Sequence, residues 1–405
     1  MPPITCNRVV GLGIATFIVI VFLLATFHHG SRESIKQLKD AAQTSASQKL
    51  CSDDSPIFAT PSPSFQNSIS NLFDVIRQTT SASDYTDAYG KKFKLEHDTV
   101  WNEPLGSDVL IIDMDTRSPE GTNEVFGPDK LNWETATGKE GGGMLSASFM
   151  NHFLYAQIHG YDYKFFKAES LESKGLHNTW IKPFVLDLFL RDYKFVVFVD
   201  ADATIQHLEV PLEWLFNRWG IGRNTSMAMP IDTMQILNGD KKASCDSKGK
   251  VTLNTGFVVA QSLPLTFEML EAWRTCPEEK RYKGCKTWAQ SWSHEQRAFS
   301  EYIRYDFNPD GHNIVEIPCN DAMGYPSLKK DNPHIISDCH GEFVRHHTID
   351  KAMTKTSTDM AMLQSITEIM QSTLKKNRKE FLISEKGSKK QFFKDFKEKA
   401  ESKQW

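Results

Sequence analysis

Hydrophobic and polar positions divide this chain into four stretches of different character. The first is residues 9–27, nineteen positions without a charge. A helix of that length spans about 28 Å, enough to cross a thin bilayer. The run predicts a single N-terminal transmembrane helix acting as an uncleaved signal anchor. A cleavable signal peptide has an apolar part of only about 7–15 residues followed by small residues at the cut, and no such pattern follows Phe27. The second stretch, residues 28–105, is polar. Between positions 41 and 86, 15 of 46 residues are Ser or Thr, with Pro56, Pro61 and Pro63 among them. Such a composition buries little apolar surface and predicts an extended stem, interrupted by short helical pieces such as 69–77.

In residues 106–350 the periodicity changes. Short, nearly unbroken apolar runs at 109–112, 195–199, 227–230, 257–260 and 314–317 read as strands, and 161–166, broken by Asp162 and Lys164, as a further possible one. Helical spacing appears at 144–159, where Leu145, Phe149, Phe153 and Ala156 share a face, and at 180–190, 212–219, 264–274 and 294–304. Pro183 falls in a first helical turn, where its missing N–H is tolerated. Strands alternating with helices, most of the strands nearly unbroken apolar runs, predict an α/β, Rossmann-like domain. Its sheet would be mostly parallel, with helices on both faces. Ligands of such sheets bind at the carboxyl ends of the strands, which is where the acidic residues cluster. The last stretch, 351–405, holds 13 Lys or Arg against seven Asp or Glu. It reads as a charged tail, helical or disordered, in which 360–374 has the spacing of a packed helix.

Charge changes the picture little. The chain of 405 residues has 47 basic and 51 acidic side chains, a net −4, and a nucleic-acid binder would usually be basic. Cysteine usage says more. Cys6 precedes the apolar run; Cys51, Cys245, Cys276, Cys285, Cys319 and Cys339 follow it, with no C-x-x-C pair. Six such residues suit disulfides in an oxidising lumen better than a zinc site. Cys276 and Cys285 enclose a short loop, and Cys319 and Cys339 bracket a longer one, although six cysteines allow 15 pairings. Asn224-Thr225-Ser226 is an N-glycosylation sequon. Basic residues flank the apolar run on both sides (Arg8 before; Arg32, Lys36 and Lys39 after), so the positive-inside rule leaves orientation open. The cysteines favour a cytosolic tail at 1–8, a span at 9–27, a stem at 28–105 and a lumenal body. Oligomerisation, if any, would run through the span or the stem.

The sharpest chemical signal is the apolar run 195–199 followed by Asp200-Ala201-Asp202. Two carboxylates flanking a tight turn at a strand's carboxyl end can reach one hard cation, Mn²⁺ or Mg²⁺, which would bridge substrate phosphates. The bland alternative is a pair of solvated turn aspartates. A rival is the first motif of haloacid-dehalogenase-like phosphatases, with Asp200 as nucleophile. That motif normally opens its domain, however, and here about 90 residues of α/β pattern precede it. Asp113-Met114-Asp115 is a second Asp-x-Asp, read as turn acceptors in preference to metal ligands.

Several stretches stand in one order: Asn151, Tyr155-Ala156 and His159-Gly160-Tyr161; Trp180 with Lys182-Pro183; Asp200-Ala201-Asp202; Asn254-Thr255-Gly256-Phe257; His294-Glu295-Gln296; Pro318-Cys319-Asn320 with Gly324-Tyr325-Pro326; and Phe343-Val344-Arg345-His346-His347. This order resembles the galactosyl/mannosyltransferase superfamily that includes glycosyltransferase family thirty-four, and within it fungal nucleotide-diphospho-sugar transferase-like proteins. The resemblance spans about residues 108–351 and implies a GT-A fold. It implies that Asp200 and Asp202 hold the metal and the nucleotide sugar, with His346 or His347 completing the metal shell. The family's usual glycine-cysteine after the histidine is replaced by Thr348-Ile349-Asp350-Lys351. The amide, hydroxyl and Cβ-free backbone of Asn254, Thr255 and Gly256 would let a sugar approach closely and be hydrogen-bonded. By the same resemblance Glu295 and Gln296 face the transferred sugar as catalytic residues and Lys182 lies near the nucleotide, while Lys351 either reaches a diphosphate oxygen or simply opens the basic tail.

The expectation is therefore a type II membrane protein of the Golgi or endoplasmic reticulum. It would transfer a hexose, galactose or mannose, from a nucleotide diphosphate sugar to a glycan or glycoprotein acceptor, with Mn²⁺ (or Mg²⁺) and with retention of configuration. A GT-A-like carbohydrate-binding scaffold without turnover is the alternative from another class.

Overall fold

The computed structural model describes residues 63–136, 142–236, 239–240 and 242–402. The span expected at 9–27, Cys6, Cys51 and the first part of the stem lie outside these residues. Among the described residues no helix is long and apolar enough to cross a membrane.

At the centre is a six-stranded sheet built from β3 (Val109–Asp115), β4 (Asp162–Lys167), β5 (Phe195–Val199), β7 (Met227–Pro230), β8 (Phe257–Gln261) and β9 (Ile314–Ile317), in the order β4-β3-β5-β8-β7-β9. Five strands run parallel and β8 alone runs against them, pairing antiparallel with β5 and β7. The expected mostly parallel α/β sheet is thus present, with one reversal. The inner strands β5, β7 and β8 are buried along their whole length because both faces are covered, whereas the edge strand β4 is half-buried and carries Asp162, Lys164 and Lys167. On β3, Val109 and Ile111 join one core layer with Tyr155, Phe195 and Trp214, while Leu110 and Ile112 join the other with Trp180, Phe198 and Trp273. Helices α2 (Gly142–His159), α3 (Lys182–Phe189), α4 (Leu212–Trp219) and α5 (Pro264–Arg274) cover the sheet. The helix expected over 294–304 starts as α6 (His294–Ala298) and continues through a π turn at Phe299–Ile303. There Ser300 Oγ accepts the backbone N–H of Leu253 at 2.9 Å.

Residues 63–105 differ from the extended stem that their composition predicts. A helix, α1 (Pro63–Phe73), stacks Phe65 on Phe153 of α2, and a hairpin pairs β1 (Asp84–Thr86) with β2 (Lys92–Lys94). Few apolar residues suffice because each is seated individually. Phe73, Tyr85, Phe93 and Trp101 are all buried. Trp101 stands edge-on to Phe195, its indole N–H donates to Ile221 O at 2.7 Å, and its backbone N–H donates to Asn217 Oδ1 at 2.9 Å.

A second, two-stranded ladder pairs β6 (Ala203–Ile205) antiparallel with β10 (Val344–His346). After it, α7 (Met353–Lys376) lies against the body: Thr358 Oγ1 donates to Ala147 O, and Trp133 Nε1 donates to Asp359 Oδ1 at 2.6 Å. The charged tail is therefore docked in its first half. Its last helix, α8 (Glu385–Ser402), exposes Phe392, Phe393 and Phe396.

Candidate functional site

Strand β5 ends at Val199 and a tight turn follows. The Asp200 N–H donates to Gly256 O at 2.7 Å, tying this turn to the head of β8, and the Ala203 N–H donates to Asp200 O at 3.0 Å. Asp200 and Asp202 stand on either side of that turn, Asp200 partly open and Asp202 buried. The β6–β10 register sets His346 opposite Ala203, beside Asp202. His346 Nε2 lies 3.1 Å from Asp202 Oδ1 and 3.9 Å from Asp200 Oδ2. One ligand atom from each of the three residues falls within 4.8 Å of the others.

This donor set fits a divalent cation. Two carboxylates and an imidazole are hard-to-borderline ligands. The other ring nitrogen of His346, Nδ1, is buried without a partner, and the ring fills the space where a Gly256 side chain would stand. His347 does not join the cluster. Its backbone N–H donates to Asp202 O at 2.8 Å, while its ring packs against Tyr325. Of the two histidines left open by the sequence, the geometry brings only His346 to the aspartates.

The electrostatics follow from that crowding. Burial disfavours the Asp202 carboxylate, but His346 and Lys351 outweigh it and hold its pKa well below the usual range. Asp200 is raised, because burial and the Asp202 charge exceed what Lys182 returns. His346 is raised, since its contacts with Asp202 and Asp200 overcome the cost of burying the imidazolium. Burial, aided by the neighbouring His346, pushes His347 down to about 3.

Both expected lysines reach this end of the site. Lys182, buried at the first turn of α3, places Nζ 3.1 Å from Asp200 Oδ1, 3.0 Å from Thr255 O and 3.5 Å from Glu295 Oε1. Lys351, more exposed, sits 2.9 Å from Asp202 Oδ2. The remaining expected residues form the opposite wall. Thr255 Oγ1 donates to Glu295 Oε1 at 2.9 Å and its N–H donates to Gln296 Oε1 at 3.1 Å. Asn254 Oδ1 accepts the Gly256 N–H at 2.8 Å, closing the bend that leads into β8. Glu295 is buried, and its Oε2 has no hydrogen-bond partner. All of these except Gly256 line one cleft of ≈ 590 Å³.

Sequence reasoning missed three residues on the same cleft. Asp232, two residues past β7, accepts from Gln296 Nε2 at 2.8 Å, and burial raises its pKa. An apolar strand followed by an acid was the signal used for Asp200, and it would have found Asp232 too. Arg117 forms a bidentate pair with Asp115 at 2.9 and 2.7 Å. Trp292 lines the mouth of the cleft and is 54% exposed; no periodic pattern marks it. The second Asp-x-Asp divides: Asp115 accepts the Arg117 N–H as a turn acceptor, but Asp113 is buried on β3 between His152 (2.7 Å) and Tyr163 (2.6 Å). Away from the cleft, Cys276–Cys285 and Cys319–Cys339 are disulfides, and Cys245 is buried and unpaired among the described residues. Asn224 of the sequon is exposed.

Residues 130–317 match the model of the galactosyl transferase GMA12/MNN10 family, which bears out the resemblance carried by the motifs. The match includes Lys182, Asp200, Asp202, Asn254–Gly256, Glu295 and Gln296; His346 and Lys351 lie beyond it. No curated protein matches the chain. Solved structures similar to it include a glycosyltransferase involved in the glycosylation of the major capsid of PBCV-1. That structure is 12% identical, covers 62% of this chain and 98% of its own, and has a TM-score of 0.39. Mouse xyloside xylosyltransferase 1 in its apo form is 10% identical over 60% of this chain and 98% of its own, with a TM-score of 0.32. The galactosyltransferase LgtC in complex with donor and acceptor sugar analogs is 12% identical over 63% and 95%, with a TM-score of 0.32.

Proposed function

We propose, from the premise that residues 130–317 mark this chain as a glycosyltransferase of the galactosyl transferase GMA12/MNN10 family, that it moves a hexose from a nucleotide diphosphate sugar to a glycan acceptor, with a divalent cation and with retention. The observation that carries this reading is the convergence of Asp200, Asp202 and His346 with Lys182 and Lys351 at one end of a cleft whose other wall holds Glu295, Gln296 and Thr255. One end is built for a diphosphate and the other for a sugar.

Asp200, Asp202 and His346 would hold the cation, and its imidazole ligand favours Mn²⁺ over Mg²⁺. When bound, it supplies charge neutralisation for the diphosphate leaving group. Lys351 reaches Asp202 and would bind a diphosphate oxygen. Lys182 holds Asp200 and Glu295 apart and oriented. Glu295, with Oε2 free and Oε1 steadied by Thr255, stabilises positive charge developing on the sugar ring. Gln296, bridged between the Thr255 N–H and Asp232, keeps that wall in place.

Loss of turnover, as in a carbohydrate-binding scaffold, would leave no reason for a complete cation-and-lysine cluster. The phosphatase reading fits poorly, because β3, α2, β4 and α3 all precede Asp200. Two disulfides and an exposed Asn224 support a lumenal body in the Golgi or endoplasmic reticulum, anchored through residues 9–27. The test is a thermal-shift screen against UDP- and GDP-sugars with and without Mn²⁺. A metal-dependent shift that Asp202→Ala abolishes is expected; a shift unaffected by that change overturns the metal assignment.

A further inference from the structure

Trp292 stands apart from the other tryptophans of this protein. Among the described residues each of the others is used by the fold, through a bond from its indole N–H or a cation over its ring. Trp180 donates to Trp288 O at 3.0 Å, Trp273 donates to Glu295 O at 2.9 Å, and Arg297 lies over the Trp288 ring. Trp292 has no hydrogen bond, ring contact or cation among the described residues, and it lies at the cleft. Leaving so large an apolar ring half in water forgoes the stabilisation its burial would bring.

The backbone beneath the ring is nevertheless held on both sides. The His177 N–H donates to Ala289 O at 2.9 Å, and the Ser291 N–H donates to Thr287 O at 3.2 Å. On the other side the His294 N–H donates to Ser291 O at 2.7 Å. His294 takes a left-handed conformation (φ 56°), and its ring stacks flat on His177 with centroids 3.6 Å apart. A free ring on a fixed backbone is pre-organised for a ligand, since little order remains to be imposed on binding.

The chemistry of the ring and its place in the cleft identify that ligand. An indole offers a flat face of negative potential and one N–H donor. A pyranose offers the complement, a face of weakly positive C–H groups with hydroxyls around its edge. Ser293, Asn178 and Thr179 line the same cleft and supply polar groups for those hydroxyls. The transferred sugar has its own place at Glu295 and Thr255, both buried. Trp292 precedes Glu295 by three residues and lies on the open side of that wall, where a second sugar would arrive from solvent. In a nucleotide diphosphate sugar the base and the sugar sit at opposite ends of the diphosphate, so a base would point away from the Glu295 wall.

We infer that Trp292 is the platform on which a pyranose of the acceptor glycan stacks; the inference rests on the glycosyltransferase reading above. The experiment uses the full chain in a detergent without sugar headgroups, with Mn²⁺ present. Binding of mannotriose and of lactose is followed by saturation-transfer NMR. The wild type should bind at least one of them. Trp292→Ala should weaken that binding at least about tenfold, as loss of a central aromatic anchor does. Trp292→Phe, which keeps a π face, should retain most of it. The unfolding temperature of Trp292→Ala and its Mn²⁺-dependent thermal shift with UDP- or GDP-sugars should match the wild type. Unchanged oligosaccharide binding in Trp292→Ala overturns the inference, as does a wild type that binds neither sugar. Loss of the donor shift in Trp292→Ala would give the ring to the nucleotide, and a lowered unfolding temperature would make it structural; either overturns the inference. Failure of the glycosyltransferase reading shows separately, as the absence of any metal-dependent donor shift in the wild type.

Discussion

Gly256 and His346 compete for one volume: a Cβ built on Gly256 would overlap the His346 imidazole. The head of β8 and the end of β10 therefore meet at a point that only glycine permits. Gly256→Ala should leave the sheet intact, since its neighbours Asn254 and Phe257 are anchored independently, but should push His346 off the two aspartates. Mn²⁺ affinity measured by calorimetry should fall at least about tenfold, in the range seen when the orientation of a metal ligand is lost. Unchanged affinity would remove His346 from the ligand set.

The same histidine should make metal binding pH-dependent. Its contacts with Asp202 and Asp200 raise its pKa above the ordinary value, so without metal it keeps its proton to higher pH than a free imidazole. A ligand must lose that proton before it binds. Mn²⁺ affinity should therefore rise with pH through the raised pKa, and fall by up to about tenfold per unit on acidification below it. The sign for stability of the metal-free protein is opposite. The ion pair's contribution is fully present below the unfolded imidazole pKa and is lost as pH rises through the folded one. Melting curves of the metal-free and Mn²⁺-loaded protein across about pH 5–8 should diverge as pH rises; parallel curves would contradict this coupling.

Glu295→Gln keeps the size of the side chain and its acceptor for Thr255, but removes the negative charge from the wall proposed to face the sugar. The expected result is a fall of about 10²-fold in kcat with little change in donor KM, the pattern for stabilisation realised in the transition state. A rise in KM alone would make Glu295 a binding residue.

The two disulfides should separate stability from metal binding. Cys319–Cys339 closes a loop of sequence separation 20 that carries Gly324, whose carbonyl accepts the His346 N–H at 3.0 Å. Replacing both cysteines by Ser should cost about 3 kcal/mol by loop entropy and also weaken Mn²⁺ binding. Removing Cys276–Cys285, which belongs to the other core layer from Val344 of β10, should lower stability without affecting the metal. Denaturant melts with and without Mn²⁺ distinguish the two outcomes.

Some of this is legible in the sequence alone. Residues 195–199, 212–219, 227–230, 264–274 and 314–317 form the expected elements with the expected bounds, because burial on both sheet faces writes unbroken apolar runs into the sequence. Asp200 and Asp202 were visible for a related reason: a charge ending such a run must sit at a strand's carboxyl end. The hairpin at β1–β2 and the ladder of β6 and β10 were not visible. Each of these strands is only three residues long, too short for a period to register. Trp292 and Arg117 lie in segments with no period at all.

By itself, then, the sequence determined what is local. It set which segments are apolar enough to be strands, where carboxylates end them, and that a hydrophobic run and a polar stretch precede the α/β body. Only the tertiary structure decided what depends on contacts between distant positions. His346 rather than His347 meets Asp202 because an antiparallel register 144 residues apart in sequence sets it there. Lys182, Glu295 and Thr255 share one hydrogen-bonded wall because α3, α6 and β8 converge on it. The direction in which α7 turns its methionines and leucines was equally beyond the sequence. Helical spacing marks 360–374, but only packing against the body shows which residues of that helix are buried and which are exposed.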